Sequence, residues 1–502
     1  MRKSKKSIYN IITALLYKLF VIIIGLIIPR IFILNYGSNL NGFQSSVGQI
    51  FSYIALIEAG IGEATLQAIY RPIAEKNHMK TNEILSATTK YYDKIGIMYF
   101  VILFLLAGIY PLFVDVPELS YLNIFIYIIV SGATTGINFF FVAKIGLVIN
   151  AEGDTYWTSI MQFAIYIMTS TVKIFCILKG YNIVFIQAGY FAINMIYTLV
   201  LYIFAKRKYP WVNFRIKPDY KAIEQKDSVL LHKISGIIFQ NTDVLILTFF
   251  CDLNTVSIYT IYKLVINSIV SFMSTISGSI TFVFGQTFAV NPKRYTEIVD
   301  TFHVIYVTIS SAILTVTYIL YLPFIKLYTS GSDINYFDKW LPILFVGIEI
   351  LLIGREAMMQ TITVSGHFKQ TLWRSLLESG INLGISLIMV QILGIYGVLI
   401  GTIVALLYRT LDINIYANRH ILERSSFFTL KVWGSNVLVM ILVVKIVKKM
   451  DIINISTYME FGIYGVILSI VIVILFLGIG ILLNRKQYQN LLFLLKSLKH
   501  RN

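Results

Sequence analysis

Residues 150–186 read NAEGDTYWTSIMQFAIYIMTSTVKIFCILKGYNIVFI, and residues 364–400 read VSGHFKQTLWRSLLESGINLGISLIMVQILGIYGVLI. Aligned on their apolar segments, the two stretches place Gly153 on Gly366, 213 positions on, and Gly180 on Gly394, 214 positions on. A second pair keeps nearly the same spacing. LNGFQSSVGQIFSYIALIEAGIGEA, residues 40–64, lies on VSIYTIYKLVINSIVSFMSTISGSI, residues 256–280, at an offset of 216, so that Gly62 meets Gly278. Offsets that stay within 213–216 along the chain mark an internal repeat. Each copy holds six apolar segments. Six is even, so the copies face the same way, related by an approximate two-fold along the membrane normal. Parallel repeats of this kind build secondary transporters, with the substrate site between the halves and alternating access by rocking.

The composition agrees. Of 502 residues, 57% are hydrophobic, 13% charged and 14% aromatic, and the mean hydropathy is +0.75. Soluble domains do not have such a balance. Apolar runs of about twenty residues recur from end to end, and each can cross the hydrocarbon only as a helix that satisfies its own backbone. The expected fold is therefore an all-α integral membrane protein of about fourteen spans. The two six-helix repeats are followed by two further helices. The first two expected spans are 11–34 and 43–70, the fourth 121–149, and the last two 428–447 and 461–483. The expected division is a first lobe at 1–210, a basic linker at 211–228, a second lobe at 229–420, and the added pair with a basic tail at 421–502.

Charge sets orientation. The N-terminus, the even-numbered connections and the C-terminus carry 29 Lys and Arg, and the opposite connections carry six, Lys179, Lys326, Lys339, Lys445, Lys448 and Lys449. The positive-inside rule thus places both termini in the cytoplasm. The Lys445–Lys449 cluster runs against the rule. The net charge of +17 follows from these topogenic loops beside anionic lipid, and no nucleic-acid module accompanies it. The opening RKSKK resembles a secretory leader, but Lys18 interrupts the apolar run and no small-residue cleavage site follows, so an uncleaved first helix is expected. Cys176 and Cys251 are too few for a disulfide framework, and neither has metal-ligand spacing with a histidine. No metal and no cofactor are expected.

Charges at membrane depth face a bundle interior or a wet cavity. Helical periodicity groups Gln49, Ser52, Glu63 and Gln67 on the second span, and Ser159, Gln162, Tyr166, Thr169 and Lys173 on the fifth. On the seventh it groups His232, Gly236, Gln240 and Asp243, and on the eighth Lys263, Asn267, Ser271 and Ser274. Lys18 and Arg30 add charge to the first span, and Glu349, Arg355 and Glu356 to the tenth. One polar cavity between the lobes accounts for all of them. Lys18 and Glu58 fall at similar depth, roughly 15–18 Å from the cytoplasmic end, and form a plausible ion pair; Glu63 lies about 140° round the helix and has a different role. Glu58, Glu63, Asp243 and Glu356 are the candidates for binding a coupling ion. Snorkelling or structural ion pairing is the competing reading for Lys173, Lys263 and Arg355.

RIFILNYGSNLNGFQSSVGQIFSYIALIEAGIGEATLQAIYRPIAEKN, residues 30–77, resembles the first two helices of bacterial polysaccharide flippases of the Wzx type. HKISGIIFQNTDVLILTFF, residues 232–250, followed by residues 257–280, resembles the start of that family's second lobe, with an Asn-x-x-Asp-like element at Gln240–Asp243. The family belongs to the superfamily of the lipid II flippase and the multidrug and toxin extrusion proteins. The resemblance implies translocation of undecaprenyl-pyrophosphate-linked oligosaccharide units to the outer leaflet for a surface glycan, without chemistry on the substrate. It also implies a glycan polymerase and glycosyltransferases of the same pathway as partners. Lys18, Arg30, Lys173, Lys263 and Arg355 suit a pyrophosphate, Gln49, Gln162 and Asn267 suit sugars, and either exchange of a proton or sodium ion or the membrane potential alone would drive the cycle. A cation-coupled multidrug antiporter is the alternative. Its pocket would be apolar and carboxylate-bearing.

Overall fold

A computed structural model describes residues 3–55, 59–224, 242–450 and 455–499. The chain divides into two compact units, Met1–Ser257 and Ile258–Asn502. In the first lie α1 (Lys3–Ile54), α2 (Ala59–Ala74), α3 (His78–Phe113), α4 (Tyr121–Phe140), α5 (Val142–Ala151), α6 (Thr155–Leu178), α7 (Ile183–Lys208) and α8 (242–250). The boundary falls inside α9 (Leu253–Val290). The second unit holds the rest of α9, then α10 (Pro292–Tyr328), α11 (Leu341–Ser365), α12 (Phe368–Leu393), α13 (Ile395–His420), α14 (Phe427–Met450), α15 (Tyr458–Leu483) and α16 (Arg485–Lys499). Among the described residues 11 helices are long and apolar enough to cross a membrane, so this is a multi-pass membrane protein. Helix α11 has the length as well, but carries Glu349, Arg355 and Glu356.

Hydropathy alone misplaces several helix ends, and backbone chemistry explains why. The break expected between the first two spans is present as a kink: α1 runs from Lys3 to Ile54, and inside it Gly37 has non-helical dihedrals (φ 85°, ψ 168°), a region that only glycine enters cheaply. The second expected span begins in α1 and ends in α2, and residues 56–58 between them lie outside the described residues. The fourth is divided at Phe141, whose dihedrals leave the helical region and separate α4 from α5. Helices α3 and α10 begin whole turns before their apolar cores. Asn77 caps α3 by accepting from the Lys80 N–H at 3.0 Å, and Asn291 caps α10 by accepting from the Arg294 N–H at 3.1 Å. Helix α16 was not expected; its RKQYQNLLFLLKSLK sequence carries Leu492 and Phe493 exposed.

Small residues and polar side chains hold the helices together, as they must where lipid is as apolar as leucine. In the first unit Gly132 and Gly136 of α4 admit Leu103 and Phe100 of α3, and the Tyr99 hydroxyl donates to the Gly132 carbonyl at 2.9 Å. In the second, Gly397 and Gly401 bring α13 onto α12 so closely that a Cβ at Gly397 would sit 2.2 Å from the Met389 carbonyl oxygen. Asn382 donates to Thr402 there at 2.8 Å. Asn414 and Thr410 of α13 donate to the Gly354 and Leu351 carbonyls of α11, each at 3.0 Å. Large apolar side chains such as Ile97, Val101, Phe104 and Leu105 are left exposed along α3, where lipid would cover them.

Candidate functional site

The first unit contains a cavity of about 560 Å³ walled by α1, α4, α6 and α7. Helix α1 contributes Gly25, Ile28 and Pro29 from one turn, and Gln44, Gly48 and Ser52 from beyond Gly37. Pro29 has no N–H, so the Gly25 carbonyl lacks its usual helical donor at the cavity wall. Helix α4 adds Tyr127, Ser131, Thr134 and Thr135, and α7 adds Gln187 and Tyr190. The Thr134 hydroxyl is buried and has no hydrogen-bond partner among the described residues, which leaves it for a ligand or water.

Helix α6 supplies Tyr166, Thr169, Ser170 and Lys173. Lys173 has no carboxylate partner among the described residues; its Nζ lies 5.8 Å from the centre of the Phe32 ring. No Asp or Glu is among the described residues lining this cavity. A smaller cavity of about 220 Å³ shares Tyr166, Thr169 and Tyr190 with it and is lined by Gln162, Asn138 and Asn194. The wall is thus cationic, hydroxyl- and amide-rich, with tyrosine rings.

The structure distributes the sequence candidates unevenly. Gln162, Tyr166, Thr169 and Lys173 share one face of α6 and line these cavities. Gln49 is not on the wall, where Gln44 stands instead. Lys18 and Arg30 are half-buried on α1, and Asp243 is buried on α8. Glu58, His232, Gly236 and Gln240 lie outside the described residues, as does the side chain of Glu63.

In the second unit Lys263 packs its Nζ 5.3 Å from the Tyr259 ring centre, and Asn267 is exposed on the same helix, α9. Arg355 is engaged by Glu378 at 2.6 Å. Glu356 accepts from Ser277 and, at 3.1 Å, from Gln360. The Arg355 contact belongs to a larger network that sequence reasoning missed. Arg409, 2% exposed, reaches Glu378 at 3.4 Å and Asp412 at 2.7 Å, and Asp412 also pairs with Arg374. Three arginines face two carboxylates across α11, α12 and α13. The signal was present as Arg374 and Glu378 at i,i+4 and Arg409 and Asp412 at i,i+3, spacings that put each pair on one helix face.

No protein-family model matches the sequence, and no curated protein matches it. Solved structures do. The fold is similar to the lipid II flippase MurJ in its inward closed conformation, with a TM-score of 0.71 and 13% identity over 94% of this chain and 99% of that one. It is similar to an inward-facing multidrug resistance MATE family transporter of the MOP superfamily, with a TM-score of 0.64 and 15% identity over 81% of this chain and 98% of that one. An outward-facing MATE transporter matches at a TM-score of 0.55 and 15% identity, covering 84% and 96%. At these identities the likeness is one of fold: the chain has the fold shared by MurJ and the MATE transporters of the MOP superfamily.

Proposed function

We propose that the protein is a flippase that carries an undecaprenyl-pyrophosphate-linked oligosaccharide from the cytoplasmic to the outer leaflet by alternating access, for assembly of a surface glycan. The observation that carries the reading is the wall of the cavity that holds Lys173. A lone lysine among hydroxyls, amides and tyrosine rings suits an anionic, hydroxyl-rich ligand. Phosphoryl oxygens take charge-assisted hydrogen bonds from an ammonium, and sugars take neutral ones from Gln, Ser, Thr and Tyr. A cationic drug would need a carboxylate or an aromatic box without the lysine. The fold likeness to a lipid flippase and to multidrug transporters supports a transport role, and nothing in the reading requires chemistry on the substrate. Lys18, Arg30, Lys263, Arg355 and Asn267 remain proposed ligand contacts, and Glu58, Glu63, Asp243 and Glu356 proposed coupling groups for a proton or sodium ion.

Reconstituted vesicles test it. A fluorescent undecaprenyl-pyrophosphate oligosaccharide should cross the bilayer with wild type and not with Lys173→Ala at equal protein density. Extrusion of cationic dyes by a wild type that moves no glycolipid would replace the proposal with the antiporter.

A further inference from the structure

A third polar cavity of the first unit lies away from the two just described. It measures about 780 Å³ and sits where α3 begins, α4 breaks into α5 and α7 ends, with the strand of chain after α7 across it. This is the end that the positive-inside rule assigns to the cytoplasm. Lys90, Lys144 and Arg215 bring three cations to its wall against one carboxylate, Asp93. That carboxylate is already taken: Lys144 holds it at 2.6 Å. Neither Lys90 nor Arg215 has a carboxylate partner among the described residues, and both are exposed on the wall.

Arg215 is held in place from below. Asn82 of α3 donates to the Trp211 carbonyl at 2.8 Å and accepts from the Asn213 N–H at 3.0 Å, while Ser86 donates to the Ile216 carbonyl at 2.6 Å. These bonds dock the segment that carries the arginine onto a rigid helix, so its backbone position is set before any ligand arrives. Phe140, Phe141 and Tyr202 form the apolar side. Beyond them, a largely apolar slot of about 210 Å³ shares Ile145, Tyr202, Val212 and Phe214 with the cavity and continues past Val148, Ala205 and Pro210, with Lys206 and Tyr209 also on its wall.

We propose that this cleft is a binding site for the phosphate of an anionic phospholipid, with Lys90, Lys144 and Arg215 at the headgroup and the adjoining slot taking the start of an acyl chain. An unneutralised pair of cations beside a carboxylate-bound third is a phosphate site in charge, and basic pockets between helices at the cytoplasmic surface take anionic headgroups. The apolar slot is what favours a lipid over a soluble phosphate, which would gain nothing from it. The proposal does not depend on the transported substrate.

The test uses the purified full-length protein in a neutral detergent, titrated with phosphatidylglycerol, phosphatidylcholine or inorganic phosphate, and read by native mass spectrometry and by thermal unfolding. Wild type should retain phosphatidylglycerol in preference to phosphatidylcholine, and inorganic phosphate should not raise its melting temperature. Each basic residue near such a headgroup is worth roughly fivefold in affinity, so Lys90→Ala/Arg215→Ala should weaken phosphatidylglycerol binding roughly 25-fold. Lys369→Ala removes an exposed charge elsewhere and should change nothing. Equal retention by the double variant and wild type overturns the site. Stabilisation by inorganic phosphate equal to that by phosphatidylglycerol, and lost in the double variant, overturns the lipid assignment in favour of a soluble anion. If the double variant aggregates, Lys90→Gln alone decides, with roughly a fivefold loss expected and no loss overturning the proposal.

Discussion

Asn41 donates a hydrogen bond of 2.8 Å to the Ser257 hydroxyl, and both are buried. These are two positions that the 216-residue offset of the repeat aligns with each other. Beside them, Gly42 meets the backbone of Leu253, whose carbonyl oxygen would lie 1.8 Å from a Cβ at that position. The contact is therefore backbone against backbone, with one polar bond to register it. Asn41→Ala should cost about 1 kcal/mol. Gly42→Ala should cost more, about 1–3 kcal/mol, because the added methyl must push two helices apart. Thermal unfolding in detergent measures both, and a Gly42→Ala protein as stable as wild type would contradict the close approach.

Lys173 is the cation of the 560 Å³ cavity walled by α1, α4, α6 and α7. Lys173→Met keeps most of the side chain's volume and removes its charge. It should leave the melting temperature near that of wild type and weaken binding of a pyrophosphate glycolipid by roughly 10- to 100-fold, the worth of a charged hydrogen bond. Lys173→Arg should recover part of the loss. Fluorescence titration with the glycolipid separates the three proteins.

Glu378 sits between Arg355 and Arg409 at 2.6 and 3.4 Å. Removing it takes away the carboxylate that Arg355 pairs with and leaves Arg409 with Asp412 alone in a buried place, so Glu378→Leu should destabilise the second unit by about 3–5 kcal/mol. Arg355→Leu in the same chain should return part of that loss, since a buried pair replaced by apolar groups is often near neutral. The double-mutant cycle, read by thermal unfolding, gives the coupling. Additive losses would show that the pair is not linked.

Asp219 accepts from Lys80 at 2.7 Å, and that hydrogen bond holds its carboxyl below the usual range. A carboxylate whose pKa is depressed in the folded state stabilises it above the ordinary carboxylate pKa and stops doing so as pH falls through the depressed value. The segment that follows α7 should therefore become easier to cleave with an acid-active protease as pH drops below about 4. Asp219→Asn should abolish this acid dependence. Limited proteolysis at stepped pH, with the cuts mapped by mass spectrometry, checks it.

How much was legible beforehand differs from residue to residue. The face of α6 that carries Gln162, Tyr166, Thr169 and Lys173 was readable because one helix's periodicity places them together. Gln44 was overlooked in favour of Gln49, because the rotation of α1 beyond Gly37 depends on what packs against it. Lys144 passed unnoticed near the end of an expected span, since its role follows from the break at Phe141 and the partner at Asp93. The Gly397 and Gly401 spacing was visible in the chain but acquires meaning only when α12 lies against it.

The sequence by itself determined the class of this protein. Apolar runs of spanning length allow only helices in a bilayer, and the repeat of those runs at nearly one offset points to duplicated halves, because both properties are local or periodic along the chain. Only the tertiary structure decided what each charge does. Arg355 meets Glu378, Lys144 meets Asp93, and Lys173 faces a cavity without a carboxylate on its described wall. Those outcomes depend on helix rotation and on partners from other helices, and an ammonium or guanidinium group acquires its role from whichever neighbour packing brings within a few ångströms.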